Sequence, residues 1–229
     1  MTDIDIDYDE HYMNRTIASA AKEVLGWMDH ITECAPSIVF DIGANVGVYT
    51  LLFAKLLPSS RIYAFEPVAE NYMTLVRNII KNRVTNVIPM PIGLWSHCCT
   101  MALGIPIERD RMNTGLYSAL IGNDGHDVRQ GSFQSFSWAT EFAGGVPGFM
   151  KLDAGGAETV ILGTADKLLA QVDVVAVEFN HDLRFANAPK IIGDALTAAG
   201  MNKVWQGHDL DMRAYDTLWT RDTKGAHVR

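Results

Sequence analysis

The sequence predicts an α/β fold in which an open, mostly parallel sheet carries helices on both faces. Short apolar runs, typical of fully buried strands, alternate along the chain with longer stretches of helical periodicity. The clearest strand, residues 38–40, passes into a helical pattern through a turn spaced by Gly43 and Gly47. The chain has 229 residues, of which 48% are hydrophobic. It can therefore bury one sizeable core, and we expect a single domain over residues 37–229.

Hydrophobic spacing places the elements in order along the chain. Apolar residues at helical spacing over residues 10–34 predict an amphipathic helix, so residues 1–36 are expected to form an N-terminal helical segment. Further strands are predicted at residues 61–65, 87–91, 149–152, 172–179, 204–205 and 215–220, with a short strand or hairpin at 95–103. Further helices are predicted at residues 46–57, 72–80, 156–169 and 186–199. The main sheet should thus contain about seven strands.

Residues 105–147 interrupt this alternation. Turn-forming residues such as Asn113-Thr114-Gly115 and Gly144-Gly145 divide a long connection that has no strong periodicity. A connection of that length in a compact domain is usually functional. We therefore interpret residues 105–147 as an insertion that binds the substrate and serves as a lid, with a plain surface loop as the alternative.

The turn after the first strand has the spacing D-x-G-x-N-x-G, which differs from the dinucleotide-binding pattern G-x-G-x-x-G. Asp41 places a carboxylate at the end of the strand, where it would repel a phosphate and attract an ammonium group. Gly43 and Gly47 allow the backbone to approach a ligand closely, and Asn45 readily adopts a left-handed conformation. The turn therefore suits a zwitterionic amino-acid group better than a pyrophosphate.

The second predicted strand ends at Glu66, 19 residues after Gly47, and Pro67 follows it. An acidic side chain at this position accepts hydrogen bonds from the ribose hydroxyls in nucleotide-binding α/β folds. A ligand that combines an amino-acid group with an adenosine ribose is S-adenosylmethionine (SAM). Strand, turn, helix, strand and acidic residue, in this order, therefore predict a SAM site.

Several motifs together resemble those of a known family. They are FDIGANVGVYT at residues 40–50, YAFEP at 63–67, NxxxN at Asn78 and Asn82, FMKLDAGGAE at 149–158 and VAVEFN at 175–180. In this combination the chain resembles the FkbM family of class I SAM-dependent methyltransferases. The resemblance implies a Rossmann-like fold whose last two strands form an antiparallel edge. It also implies O-methylation of a hydroxyl on a sugar, a glycan or a polyketide-type small molecule.

By this resemblance Asp41, Gly43, Asn45 and Gly47 line the methionine end of the cofactor, and Glu66 holds its ribose. One position departs from the family pattern K-I-D-x-E-G-A-E, because Gly155 stands where the family has its first glutamate. If that carboxylate orients or deprotonates the acceptor, this protein has lost it, so a SAM-binding protein without turnover is an alternative function. A dinucleotide-dependent oxidoreductase is a further alternative, which the spacing of the turn disfavours.

Candidates for removing the acceptor's proton lie where predicted strands end. Asp153 ends one strand, Glu178 and Asn180 end the next, and His181 follows. We expect Asp153, Glu178 and His181 to carry the catalysis, with an acid or a histidine taking the proton directly. In a less favoured mechanism, Asp153, Glu178 and Asn180 bind a divalent metal such as Mg²⁺ or Ca²⁺, which lowers the pKa of the acceptor. Ser96 is a candidate for contacting the adenine.

Composition narrows the range of partners. The chain has 19 basic and 27 acidic residues, a formal net charge of −8, and no cluster of Lys and Arg, so nucleic acid is not an expected partner. Cys34, Cys98 and Cys99 have the spacing of neither a disulfide framework nor a zinc site. The acidic N-terminus and the lack of a long apolar run predict no membrane span and a cytoplasmic location. The sequence does not predict the oligomeric state.

Overall fold

The computed structural model describes residues 4–7, 10–105, 117–125, 127–180, 186–207 and 214–221. The helices are α1 (Glu10–Cys34), α2 (Val48–Leu56), α3 (Ala69–Lys81), α4 (Phe136–Ala143), α5 (Glu158–Gly163), α6 (Asp166–Leu169) and α7 (Ala188–Ala198). The strands are β1 (Ile38–Ile42), β2 (Arg61–Phe65), β3 (Val87–Met90), β4 (Gly93–Trp95), β5 (Cys99–Ile105), β6 (Asp127–Ser135), β7 (Phe149–Leu152), β8 (Val174–Asn180), β9 (Met201–Gln206) and β10 (Ala214–Arg221).

The main sheet has seven strands in the order β3-β2-β1-β7-β8-β10-β9. Strands β3, β2, β1, β7 and β8 are parallel, and β10 runs antiparallel to both β8 and β9. The predicted α/β fold with a mostly parallel sheet and an antiparallel edge is therefore confirmed. The strand order reverses between β1 and β7, and ligands of open α/β sheets bind beside the carboxyl ends of the strands at such a point.

Helices cover both faces of the sheet, as predicted. Helices α1, α2 and α3 pack on one face, where Trp27 and Phe53 join the strand residues Val39 and Phe149 in one buried cluster. Helices α4, α5 and α7 pack on the other face around Phe40. The N-terminal helix α1 is thus part of the domain core. No helix in the described ranges is both long enough and apolar enough to cross a bilayer.

A second, three-stranded sheet of order β4-β6-β5 stands beside the main sheet. Strand β6 and helix α4 lie inside residues 105–147, where the sequence pattern predicts neither element. Strand β6 escapes prediction because it buries only two residues, Gly131 and Phe133, so its alternation is weak. The single helix predicted over residues 156–169 is also wrong, since the structure divides it into α5 and α6.

Candidate functional site

The turn between β1 and α2 has the backbone that its sequence predicts. Gly43, Asn45 and Gly47 all have positive φ, at 83°, 50° and 97°. The two glycines also have a packing role, because the space that their Cβ atoms would fill is taken by protein. A Cβ on Gly43 would lie 1.7 Å from the carbonyl oxygen of Asp153, and one on Gly47 would lie 2.6 Å from Leu75 Cδ1. The glycines therefore pack the turn onto its neighbours.

Glu66 follows β2 and is 5% exposed. Its carboxylate accepts hydrogen bonds from the backbone N–H of Asn45, at 2.9 Å, and of Val68, at 2.8 Å. The side chain of Asn71 is a third hydrogen-bond partner. Burial raises the pKa of Glu66 to about 7, against the opposing effect of these hydrogen bonds. The carboxylate is thus fixed directly beneath the β1–α2 turn.

A cleft of about 520 Å³ opens at the carboxyl ends of β1, β2 and β7. Its polar groups are Glu66, Asn71 and Asp153, while Leu94, Leu103 and Phe133 contribute apolar walls. The remaining lining residues are Ile42, Gly43, Pro67, Val68, Gly93, Tyr117, Ala119, Ala154, Gly155 and Ala157. An apolar pocket with a few convergent polar groups is the usual form of a small-molecule site.

Asp153 lies at the cleft beside two further ionisable groups. Its Oδ2 is 2.9 Å from Nζ of Lys151, whose side chain is 1% exposed. The side chain of Glu178, on β8, is hydrogen-bonded to Asp153. Burial, and after it the charges of Asp153 and Asp216, raise the pKa of Glu178 well above its usual value. The shift favours the protonated form of Glu178, which can donate a hydrogen bond to the Asp153 carboxylate.

Lys151 is a buried cation in a group of carboxyl side chains. Its β7 position is in register with Asp41 on β1 and Ala176 on β8, so Lys151 and Asp41 lie on the same face of the sheet. The ammonium also lies 4.1 Å from the centroid of the Tyr49 ring. Burial opposes the charge, but the combined attraction of the carboxylates, the strongest from Asp153, raises the pKa of Lys151.

Asp41 does not line the cleft. It is fully buried, and its Oδ2 accepts a hydrogen bond of 2.5 Å from the Thr50 hydroxyl of α2. Its Oδ1 has no hydrogen-bond partner within the part of the chain that the structure describes. Burial raises the pKa of Asp41, while Lys151 and Thr50 lower it. Because side chains alternate along a strand, Asp41 faces α2, so the prediction that it meets the ammonium group of a ligand lacks support from its position.

Among the described residues, the predicted adenine contact Ser96 does not line the cleft. The Ser96 hydroxyl is 2.8 Å from Nδ1 of its neighbour His97, and the β4 residues Gly93 and Leu94 line the cleft in its place. His181 and the side chain of Asn180 lie outside the described residues. Their catalytic and metal-binding roles stay predictions.

The arrangement around Asp153 does not fit a divalent metal. The Lys151 ammonium already occupies one carboxylate oxygen of Asp153, and the Glu178 side chain is hydrogen-bonded to the same acid. A metal ion would have to displace both, and Mg²⁺ and Ca²⁺ need several free oxygen ligands. Among the residues that the structure describes, no group of three His, Cys, Asp or Glu side chains is placed to hold a metal.

The family model described as the methyltransferase FkbM domain matches residues 41–211, most of the chain. The chain belongs to the FkbM methyltransferase family. It is also 26% identical over 214 residues to Methyltransferase 1 of Beauveria bassiana (strain ARSEF 2860), a match that covers 81% of this chain and 84% of that protein. The resemblance predicted from the motifs is therefore confirmed.

Solved structures of other methyltransferases share the fold. A putative O-methyltransferase from Klebsiella pneumoniae matches with a TM-score of 0.56 and 11% identity, over 88% of this chain and 80% of that one. The magnesium protoporphyrin IX methyltransferase of Synechocystis PCC 6803, solved with bound SAM, matches with a TM-score of 0.50 and 11% identity, over 90% and 79%. This likeness concerns the fold alone. The family and the fold together are those of SAM-dependent methyltransferases.

Gly155, which stands where the FkbM family has a glutamate, is tightly enclosed by its neighbours. Gly155 has a φ of +59°, and a Cβ there would lie 2.6 Å from the carbonyl oxygen of Tyr117. The loop around Gly155 is held by Glu158, whose Oε1 accepts hydrogen bonds from the backbone N–H of Ala154 and Gly156. The backbone at Tyr117 can therefore lie close to this loop because residue 155 has no side chain.

Restoring the family residue with Gly155→Glu should destabilise the protein. The left-handed backbone alone costs a residue other than glycine about 1–3 kcal/mol, and the clash with the Tyr117 carbonyl adds to this. Urea-induced unfolding measures the loss. Gly163→Glu is the matched control, because nothing lies within 4 Å of the Cβ position there, and it should change stability little. Equal stability of the two variants would contradict the enclosure of Gly155.

The sequence misses several site residues. The pattern gives no signal for Lys151 as the centre of a charged cluster, since a lysine near a strand end is usually a solvated side chain. Tyr117 and Phe133 reach the cleft from residues 105–147, which the pattern leaves as irregular chain, and nothing in the strand predicted at 95–103 marks Leu103 as a site residue. Asn71 could have been suspected, because it lies one helical turn beyond the Glu66-Pro67 boundary.

Proposed function

We propose that this FkbM protein transfers the methyl group of SAM to a hydroxyl oxygen of a sugar, a glycan or a polyketide-type small molecule. The observation that carries the proposal is the presence of Glu66 and Asp153 on one apolar-walled cleft at the switch point of the sheet. Glu66 can accept hydrogen bonds from a ribose, and Asp153 can accept the proton of an acceptor hydroxyl. The net charge of −8 supports a small acceptor over a nucleic acid.

Glu66 would hold the ribose, and the apolar walls would hold the adenine. The Glu66 oxygens accept two backbone N–H groups and hydrogen-bond to the Asn71 side chain, which leaves acceptor capacity for a ribose hydroxyl. Leu94, Leu103 and Phe133 offer the flat, dry surface that a purine ring requires. Gly43, Asn45 and Gly47 shape the β1–α2 turn. This turn leads toward Asp153 and the position proposed for the methionine end of the cofactor.

Asp153 is the group we assign to the acceptor's proton. When bound, SAM supplies a methyl carbon that is already activated by its sulfonium, so the protein needs only to align the acceptor and remove one proton. Lys151 and Glu178 fix the Asp153 carboxylate from the side of the core. Its 29% exposed side chain leaves it accessible from the cleft. We propose a direct role for Asp153, with Glu178 as its partner and no metal.

Acceptor recognition is assigned to residues 105–147, as the sequence predicts. Within that range Tyr117, Ala119 and Phe133 line the cleft. The Tyr117 hydroxyl donates to Asp127 Oδ2 at 2.7 Å, which ties the segment to β6. A cytoplasmic location stays a prediction from the sequence. A SAM-binding protein without turnover is the second candidate, favoured by the absence of the family carboxylate at Gly155.

Cofactor affinity should depend on pH through Glu66. Ribose hydroxyls donate to the ionised carboxylate, whereas the pKa of Glu66 in the free protein is raised to about 7. Binding below that pH must first release a proton, so the affinity for S-adenosylhomocysteine (SAH) should fall roughly tenfold from pH 8 to pH 6. Isothermal titration calorimetry measures this. Glu66→Gln should show a flat profile, and a flat profile of the wild type would contradict the role of Glu66.

A panel of acceptors tests the function. Purified protein is incubated with methyl-labelled SAM and hydroxylated sugars, glycans and polyketides, and formation of SAH is measured together with label in the acceptor. Tight SAH binding with turnover of at least one panel member supports the O-methyltransferase. Tight SAH binding without any turnover supports the second candidate. Binding of a nicotinamide cofactor with no SAH binding would overturn both.

A further inference from the structure

The NxxxN motif on α3, Asn78 and Asn82, has no part in the proposed chemistry. Both of its side chains nevertheless form hydrogen bonds to other segments of the chain. Asn78 is 0% exposed, and Asn82 lies one turn further along the same face of the helix. Both side chains contact residues 4–7, which precede α1 by sequence and lie against α3. We call residues 4–7 the N-terminal strap.

The strap is held on α3 by backbone hydrogen bonds and by its side chains. Asp7 N–H donates to Asn78 Oδ1 at 2.7 Å, and Asp5 N–H donates to Asn82 Oδ1 at 2.9 Å. Asn82 Nδ2 donates back to the Asp5 carbonyl at 2.6 Å. Ile4 is buried in the core cluster, Ile6 packs against it, and the Asp5 and Asp7 carboxylates pair with Lys81 and Arg77. The strap thus alternates between apolar residues facing inward and acids facing outward.

Asn78 also contacts the cofactor turn. Its Nδ2 donates to the carbonyl of Val46 at 2.8 Å, while its Oδ1 accepts from the strap. The preceding residue, Asn45, donates its N–H to Glu66. A continuous series of hydrogen bonds therefore joins the strap to Asn78, Asn78 to the β1–α2 turn, and the turn to the acid that we assign to the ribose.

Only an amide side chain of this length can make both contacts. Asn78 presents one donor and one acceptor at the same distance from the backbone, and a carboxylate there would place an oxygen against the Val46 carbonyl. Because Asn78 is buried, either unsatisfied contact would cost free energy. The geometry of the turn and the docking of the strap therefore depend on the same side chain.

We infer that Asn78 is a positioning residue for the cofactor turn, and that docking of the N-terminal strap and binding of the cofactor stabilise each other. The inference rests on the proposed function, since Glu66 acts through the ribose. By linkage the coupling is reciprocal, so cofactor must tighten the strap by the same factor by which the strap tightens cofactor binding.

Hydrogen exchange and calorimetry on the full chain test the two directions of this coupling. Exchange of the amide protons of Asp5 and Asp7 is measured with and without saturating SAH, and SAH affinity is measured for Asn78→Asp and Asn82→Ala. We expect SAH to slow both amide protons about fivefold or more. Asn82→Ala, which loses contacts to the strap and none to the turn, should weaken SAH binding by a similar factor. Asn78→Asp, which breaks the contact to Val46, should weaken it further.

Asn86→Ala separates positioning from stability. Asn86 Nδ2 donates to the carbonyls of Ala54, Leu57 and Ser60 and touches neither the strap nor the turn. This variant should lower the Tm while leaving SAH affinity at the wild-type value. Wild-type SAH affinity in Asn82→Ala, or exchange at Asp5 and Asp7 that SAH does not change, would overturn the inference. Absence of SAH binding by the wild type would instead overturn the proposed function and the inference with it.

Discussion

Lys151→Met is expected to destabilise the fold by roughly 3–5 kcal/mol, the usual cost of removing one partner from a buried ion pair. The ammonium is 1% exposed and interacts with four carboxyl groups, of which Asp153, at 2.9 Å, has the strongest effect; the others are those of Asp41, Glu178 and Asp216. Methionine fills a similar volume without the charge, so the loss is electrostatic. Urea-induced unfolding at pH 8 measures the free energy of unfolding of both proteins.

Two comparisons decide whether the charge of Lys151 is responsible. Lys190→Met removes a surface lysine whose partner Asp194 is also exposed, and it should change stability by less than about 1 kcal/mol. The difference between wild type and Lys151→Met should also narrow as the pH falls toward 5, because burial raises the pKa of Asp41 and of Glu178, and a protonated acid no longer needs the cation. A loss that is the same at both pH values, or a loss equal to that of Lys190→Met, would show that Lys151 only fills space.

Asp153→Asn is expected to lower kcat by about 10²–10⁴-fold, the usual contribution of a positioned general base, while SAH affinity stays nearly unchanged. The amide keeps the shape of the side chain and can still accept from Lys151 or Glu178, but it cannot take a proton from the acceptor. The rate of methyl transfer to an acceptor found in the panel, measured with saturating SAM, provides the test.

Asp194→Asn is the control for this substitution, because Asp194 is exposed on α7 and pairs only with Lys190 among its ionic contacts in the described residues. It should retain wild-type turnover. Full activity of Asp153→Asn would exclude Asp153 as the base, and would return the role to Glu178 or to His181. Loss of SAH binding together with turnover would indicate that Asp153 holds the cofactor.

The sequence predicts the part of the site that is local in the chain. The left-handed conformation of Asn45 and the position of Glu66 at the end of β2 follow from residue type and spacing, and the structure has both. These features depend on a turn and on strand ends, which neighbouring residues determine. Most strands of the seven-stranded sheet follow for the same reason, since each is an apolar run of its own, whereas β9 buries only one of its six residues.

The sequence does not predict what distant segments bring together. Asp41 and Lys151 are 110 positions apart, and only the pairing of β1 with β7 places them on one face, turned toward α2. Phe133 reaches the cleft through β6, a strand with too few buried residues to be recognised. The close packing of Gly43 is equally invisible in the sequence, because the atom that a Cβ there would meet belongs to Asp153.

Titration of SAH into wild type and Glu66→Ala tests the central claim most directly. The claim is that the cleft at the carboxyl ends of β1, β2 and β7 binds SAM through the Glu66 carboxylate. We predict that Glu66→Ala weakens SAH binding by about 1–3 kcal/mol, while Glu70→Ala, which removes an exposed acid of α3 paired with Arg129, leaves it unchanged. Equal SAH affinity of wild type and Glu66→Ala would contradict the claim.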